Sequence, residues 1–95
     1  MYGTVARMRL KPGMDEQFMA QMRQYEQLQV PGFVRTYLYH MDADPRDIYM
    51  AVIFESKETY TANAQSPGQD ARYQQMLATL DGPPEWHDGE IVATN

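Results

Sequence analysis

The alternation of hydrophobic and polar positions at the start of the chain predicts a β-strand. Between Tyr2 and Leu10 the even-numbered side chains share one face and the odd-numbered side chains share the other. Between Met14 and Gln29 the apolar spacing changes to that of a helix, and Pro31-Gly32 should end it. The apolar stripe of this helix consists of Met14, Phe18, Met22, Tyr25 and Leu28.

Two β-rich segments follow, Phe33 to Met41 and Ile48 to Glu55, and a loop rich in Asp and Pro joins them. This arrangement predicts an antiparallel hairpin. The run from Ile48 to Phe54 is apolar almost throughout instead of alternating. Such a pattern is typical of a strand that is covered on both faces.

The second helical region is predicted to be broken in two. Ser56 can cap a helix over residues 57–64. Ser66 is predicted to cap the next helix, with Pro67 at its first position and Gln69 completing a capping box. Gly82 suits the position just past the end of that helix.

A last short strand is predicted from His87 to Thr94, which makes the element order β-α-β-β-α-β. This order predicts an α+β fold of the ferredoxin-like type, a single domain over residues 1–95. One four-stranded antiparallel sheet would carry both helical regions on one face. The other face would be bare, which conflicts with the apolar run from Ile48 to Phe54, so we expect two sheets to pair in a homodimer.

The charge balance changes which partners are expected. Eight Lys and Arg residues against thirteen Asp and Glu residues give a net charge of −5, which disfavours nucleic acid and anionic membrane surfaces. No apolar run reaches the roughly 20 residues of a membrane span, and the N-terminus lacks a signal-peptide layout. With no cysteine in the chain, these features favour a cytoplasmic protein without disulfides.

Patterns for metal, nucleotide or serine chemistry are weak. No Gly-rich phosphate loop is present, and His40 and His87 are far apart without a second His or Cys nearby. Ser56 and Ser66 are already interpreted as helix caps. The sequence therefore predicts no metal and no nucleophilic serine.

The broken helix holds the informative polar residues. Tyr60 and Asn63 lie three apart and project from one side of the first helix, and Arg72 and Tyr73 belong to the second. These side chains could point into a small pocket floored by apolar strand residues. In the structural alternative, the two tyrosines are core aromatics and Asn63 caps the helix end. Trp86, at the entry to the last strand, fits a structural anchor better than a pocket wall.

Five segments give the chain a resemblance to the antibiotic biosynthesis monooxygenase (ABM) domain family of the dimeric α/β-barrel superfamily. They are residues 5–13, 31–34, 52–60, 62–67 and 84–91. The resemblance implies oxidation of an aromatic substrate without flavin, metal or haem, in which the deprotonated substrate reduces dioxygen directly. It also places Asn63 where members often carry a catalytic Asn or Trp. Tyr73 falls near the iron-ligating His of haem-degrading relatives, which argues against haem degradation.

Two interpretations stay open at this stage. In the first, the protein is a cofactor-independent monooxygenase of a small quinol or polyketide-like substrate. Asn63 and Arg72 would stabilise an oxyanion, and Tyr60 or Tyr73 would orient the substrate or relay a proton. In the second, the same fold is a non-catalytic homodimer that binds a small ligand or has a structural role.

Overall fold

The computed structural model describes residues 1–95 and contains four strands and three helices in the predicted order. The strands are β1 (Tyr2–Arg9), β2 (Phe33–His40), β3 (Asp47–Phe54) and β4 (Glu85–Glu90). The helices are α1 (Asp15–Gln27), α2 (Lys57–Ala64) and α3 (Gln69–Leu77). None of the helices has the length and apolar character needed to cross a membrane.

The four strands form one sheet in the order β2-β3-β1-β4, and every neighbouring pair is antiparallel. This topology confirms the α+β, ferredoxin-like architecture and the β2–β3 hairpin. In the register, Ala6 of β1 lies opposite Met50 of β3 and Trp86 of β4. Since side chains alternate along each strand, these three residues share the face that the helices cover.

The main cluster of the hydrophobic core lies at one end of that covered face, and Phe54 is the one core residue outside it. Met8 pairs with Ile48 in the sheet, and both are almost fully buried beneath Phe18 of α1 and Met76 of α3. The remaining members of the core cluster are Ala6, Leu10, Met50 and Leu80. Helices and sheet therefore pack closely at the Met8 end, and the other end of the sheet remains free to form a site.

The opposite face of the sheet is exposed in the single chain. Val5 and Tyr39 are each 54% exposed, and Tyr37 and Tyr49 are 46% and 37% exposed. In β3, residues 48, 50 and 54 are buried against the helices, whereas Tyr49 is not. The sheet-to-sheet pairing that the apolar run suggested therefore stays a prediction.

Ser56 caps α2 as predicted, since its side chain accepts a hydrogen bond from the backbone N–H of Thr59. The prediction for Ser66 is wrong. Gly68, with φ of +85°, occupies the cap position of α3, and the Ser66 hydroxyl instead donates to the carbonyl oxygen of Asn63 at 2.7 Å. The left-handed backbone at residue 68 delays the start of the helix, so Pro67 and the intended capping box lie outside it.

Two further boundaries differ from the predictions. Helix α3 ends at Leu77, five residues before Gly82, because Leu80 leaves the helix to form a bridge with Leu10. The last strand covers Glu85–Glu90 instead of residues 87–94, because pairing with β1 begins two residues earlier. The shift places Trp86 within the sheet rather than at the entry to it.

Candidate functional site

A cavity of about 580 Å³ lies between the covered face of the sheet and the three helices. It opens over the end of the sheet that the core leaves uncovered, where Thr4 pairs with Val52. Apolar side chains of β3, namely Met50, Val52 and Phe54, form its floor. A site with an apolar floor and a few polar groups above it is typical of a pocket for a small organic molecule.

The structure brings all four sequence-predicted site residues to this cavity. Tyr60 and Asn63 reach it from α2, and Arg72 and Tyr73 reach it from α3. Consecutive helical residues diverge by about 100°, so Arg72 and Tyr73 meet different parts of the wall. Their roles in chemistry remain predictions at this point.

Arg72 brings a positive charge without a carboxylate partner. Its Nε and Nη2 atoms donate to a single acceptor, Oε1 of Gln69, at 3.2 and 2.8 Å. Its guanidinium carbon lies 5.9 Å from the centre of the Tyr25 ring, within the range of a cation–π contact. No salt bridge neutralises this guanidinium, so Arg72 is the group of the cavity that attracts an anion, whereas the carboxylates of Asp70 and Asp88 also line the wall.

Tyr25, from α1, completes a polar group with Asn63 and Arg72. Burial raises the pKa of the Tyr25 hydroxyl, while the Asn63 amide and the Arg72 charge oppose that rise. The phenol therefore remains protonated near neutral pH and available as a hydrogen-bond donor. Gln65, and not Asn63, is the C-terminal cap of α2, so the structure does not give Asn63 the capping role of the structural alternative.

Tyr60 is tied to Asp88, a residue of β4. Its hydroxyl donates to Oδ1 of Asp88 at 2.9 Å, and both residues line the cavity. Burial, followed by the hydrogen bond to Asp88 and its negative charge, raises the pKa of Tyr60 to about 12. Tyr60 is therefore a neutral donor, and its ring is held edge-on against Phe54, with ring centres 5.5 Å apart.

Trp86 and Tyr73 form the wall on the β4 side. Their ring centres are 6.3 Å apart, both residues line the cavity, and Trp86 is 39% exposed. The anchor role predicted for Trp86 thus gives way to a place in the pocket wall. The flat rings suit a planar aromatic ligand.

Two buried oxygen atoms at the cavity have no hydrogen-bond partner. One is Oγ1 of Thr4, which belongs to a residue that is only 5% exposed, and the other is Oε1 of Gln21. A buried polar atom without a partner is costly, and because each of these two has almost no accessible surface, that cost belongs to the packing behind the cavity wall and not to ligand binding.

Sequence reasoning missed Thr4, Tyr25 and Asp88 as site residues. Tyr25 lay in the apolar stripe of α1 and was interpreted as core, and Asp88 lay on a strand whose register was not known. One signal was present in the pattern of β1. Thr4 is a polar residue on the otherwise apolar even-numbered face of that strand.

The two histidines do not face a common point. The Nδ1 atom of His40 is 2.8 Å from the carbonyl oxygen of Pro45, and its Nε2 atom is 3.3 Å from Asp15. His40 pairs with Ile48 on the covered face, whereas His87 pairs with Val5 on the exposed face. Both residues therefore lie away from the cavity.

The family model of the antibiotic biosynthesis monooxygenases matches residues 1–75, which include β1 to α2 and most of α3. The chain belongs to this family. Its matched region contains Tyr25, Tyr60, Asn63, Arg72 and Tyr73, whereas Trp86 and Asp88 lie beyond it.

Solved structures of other proteins share this ABM fold. SnoaB, a cofactor-independent oxygenase from Streptomyces nogalater, is 16% identical, with 98% of this chain and 94% of that chain covered and a TM-score of 0.82. A conserved protein from Methanosarcina mazei Go1 is 18% identical over 93% and 89% of the two chains, with a TM-score of 0.79. A candidate antibiotic biosynthesis monooxygenase from Bordetella bronchiseptica is 19% identical over 97% of each chain, with a TM-score of 0.80. No curated protein matches the sequence.

Proposed function

We propose that the protein is a cofactor-independent monooxygenase that oxidises a small aromatic substrate of the quinol or polyketide type. The observation that carries this proposal is the unneutralised guanidinium of Arg72 beside Asn63, above an apolar cavity floor. Membership of the ABM family and the structural similarity to SnoaB, a cofactor-independent oxygenase, support it.

The chemistry requires an electron-rich substrate, such as a ring ketone with an acidic CH₂ group. Loss of a proton from that group gives a carbanion whose charge is shared with the neighbouring oxygen atom. The carbanion transfers electrons to dioxygen, a carbon–oxygen bond forms, and the resulting hydroperoxide loses water to leave a carbonyl group. The sum is CH₂ plus O₂ giving C=O plus H₂O, so the substrate itself supplies the electrons.

The protein stabilises the substrate anion on which these reaction steps depend. Arg72 supplies a positive charge and Asn63 an amide donor for the oxygen that carries the charge. The apolar floor strengthens both interactions, since less water screens them. Tyr60, which remains protonated, and Tyr73 orient the substrate by hydrogen bonding and by ring contact.

The size of the cavity agrees with such a substrate. Its volume of about 580 Å³ lies within the range of pockets for small organic ligands. The aromatic side chains of Tyr73 and Trp86 along its wall fit planar rings. Polar side chains on all three helices would then recognise the substituents at the edges of the substrate's rings.

The experiment is oxygen uptake by metal-free protein with a panel of hydroquinones and anthrones. We expect uptake above the background rate, and a decrease of at least about tenfold in Asn63→Ala, because a preorganised donor to the oxyanion is lost. Asn95→Ala is the matched control, since the only other asparagine is exposed at the C-terminus. If no member of the panel consumes oxygen above background, the protein is instead a non-catalytic binding or structural dimer.

A further inference from the structure

Asp88 is a cavity carboxylate with only one partner. It accepts a hydrogen bond from the Tyr60 hydroxyl at 2.9 Å and forms no salt bridge. That contact positions one carboxylate oxygen, and because Asp88 is an exposed residue, its second oxygen is open to water or to a ligand. A free carboxylate oxygen on a cavity wall is a strong acceptor for a hydroxyl group of a ligand.

Thr4 of β1 lies beside Asp88. The two residues are direct partners in the β1–β4 register, and Thr4 is only 5% exposed. Its Oγ1 atom has almost no accessible surface and lies next to the Tyr60 hydroxyl, so it supports the Tyr60–Asp88 pair and does not meet a ligand. The second oxygen of Asp88 is therefore the acceptor that a ligand hydroxyl reaches on the β4 side of the cavity.

The positive charge of the cavity lies toward the other edge of the sheet. Arg72 contacts the ring of Tyr25, and Tyr25 packs against Phe33 of β2, with ring centres 5.4 Å apart. Strands β2 and β4 are the two edges of the sheet, separated by three strand spacings, which is about 14 Å between backbones. The cavity therefore has its one cation toward β2 and the Asp88 carboxylate at β4, and Asp70, two residues before Arg72, is the other carboxylate of its lining.

We propose that Asp88, positioned by Tyr60, accepts a hydrogen bond from a neutral hydroxyl group of the substrate and so determines which way round the substrate binds. The ionised oxygen is repelled by Asp88 and attracted by Arg72, whereas a protonated hydroxyl is the favourable partner of Asp88. The substrate then carries oxygen groups at two separate ends of its ring system. This inference rests on the proposed function, because it assigns Arg72 to the anionic oxygen.

The test is a binding titration that requires no turnover. The probes are 2,6-dihydroxyanthraquinone and 2-hydroxyanthraquinone, which share one ring system and differ by the second hydroxyl group. We expect wild-type protein to bind the dihydroxy probe about tenfold more tightly, in line with a hydrogen bond to a charged acceptor. Asp88→Ala should reduce this preference to near unity, and Tyr60→Phe should reduce it partly.

Glu90→Ala is the matched control. Glu90 has the same charge on the same strand, two residues from Asp88 and on the same face, but it does not line the cavity. It should leave the preference for the dihydroxy probe unchanged. Asp88→Asn keeps the shape of the side chain and should lower the preference by about threefold or more, because the charge is lost and one acceptor oxygen becomes an amide donor.

The outcomes separate the two proposals. A preference that is absent in wild-type protein, or equal in wild-type protein and Asp88→Ala, would overturn the role of Asp88. Arg72→Gln should lower the affinity for both probes to a similar extent. If it lowers neither affinity, the anion site of the proposed function is wrong. The affinity ratio of the two probes then still tests the role of Asp88. Failure of wild-type protein to bind either probe contradicts both proposals.

Discussion

Gly3 occupies a position in β1 where the neighbouring backbone leaves no room for a side chain. A Cβ atom added there would overlap the carbonyl oxygen of Val52 in the adjacent strand β3. Gly3 pairs with Ile53 on one side and with Gly89 on the other. The close approach of β1 and β3 at this point supports the cavity floor, because Val52 belongs to it.

This contact leads to a prediction with an internal control. Gly3→Ala should lower the free energy of unfolding by about 2 kcal/mol or more, since the backbone must move to accept the methyl group. Gly89→Ala, at the paired position where a Cβ meets nothing within 4 Å, should change it by less than about 0.5 kcal/mol. Denaturant unfolding of the two variants measures the difference, and equal stabilities would contradict the predicted overlap.

At the scale of elements, α2 is a short helix that presents two of the site residues. It has eight residues, none of them buried, so packing alone contributes little to its stability. Its N-terminus is fixed instead by a reciprocal pair of hydrogen bonds between Ser56 and Thr59. The orientation of Tyr60 and Asn63 therefore depends on this cap.

Ser56→Ala should lower the free energy of unfolding by about 1 kcal/mol, the usual effect of losing an N-terminal cap. Ser66→Ala should have about half that effect, because Ser66 only donates to the carbonyl oxygen of Asn63 and caps no helix. Thermal or denaturant unfolding of both variants provides the measurement. A larger loss in Ser66→Ala would restore the capping role that the sequence pattern suggested.

The helices and strands show which parts of the fold sequence patterns can predict. Alternation and helical spacing depend on neighbouring residues, so they predicted β1, α1, the hairpin and the cap of α2 correctly to within two residues at most boundaries. The start of α3 failed because the left-handed conformation of Gly68 is not visible in a Ser-Pro-Gly-Gln pattern. The sequence suggested a pocket above apolar strand residues but could not give its size, since that depends on how far the helices stand from the sheet.

The residues of the candidate site also divide into those that the sequence predicted and those that it did not. Tyr60, Asn63, Arg72 and Tyr73 lie on two consecutive helices, so spacing and resemblance together could bring them to one place. The cavity also contains Asp88, Thr4 and Tyr25, which come from three other elements. Their presence in the cavity follows only from the strand register and the helix packing. Long-range pairings of this kind carry almost no local signal.

At the scale of the whole molecule, the exposed face of the sheet is the dominant feature. Val5, Tyr37, Tyr39 and Tyr49 form an apolar and aromatic surface there, in a chain of only 95 residues. A small domain buries a low fraction of its surface, so a second layer over this face would stabilise it considerably. We propose that a second copy of the chain supplies that layer.

Light scattering at micromolar concentration should therefore give the mass of a dimer. Tyr49→Lys, in the central strand β3, should shift the protein to monomer, because a charge on the paired face would lose its water without gaining a partner. Val92→Lys, at a residue that is 87% exposed beyond the last strand, should leave the dimer intact. A monomeric mass for wild-type protein contradicts the proposal.

The composition of strand β4 bears on unwanted edge-to-edge pairing between copies of this protein. It ends the sheet, so its outer backbone groups form a template on which a foreign strand could add. Three of its six residues are acidic, namely Glu85, Asp88 and Glu90. Repulsion between these charges and a like strand disfavours edge-to-edge pairing, so the same short segment that carries the cavity carboxylate Asp88 also places negative charge along an open edge of the sheet.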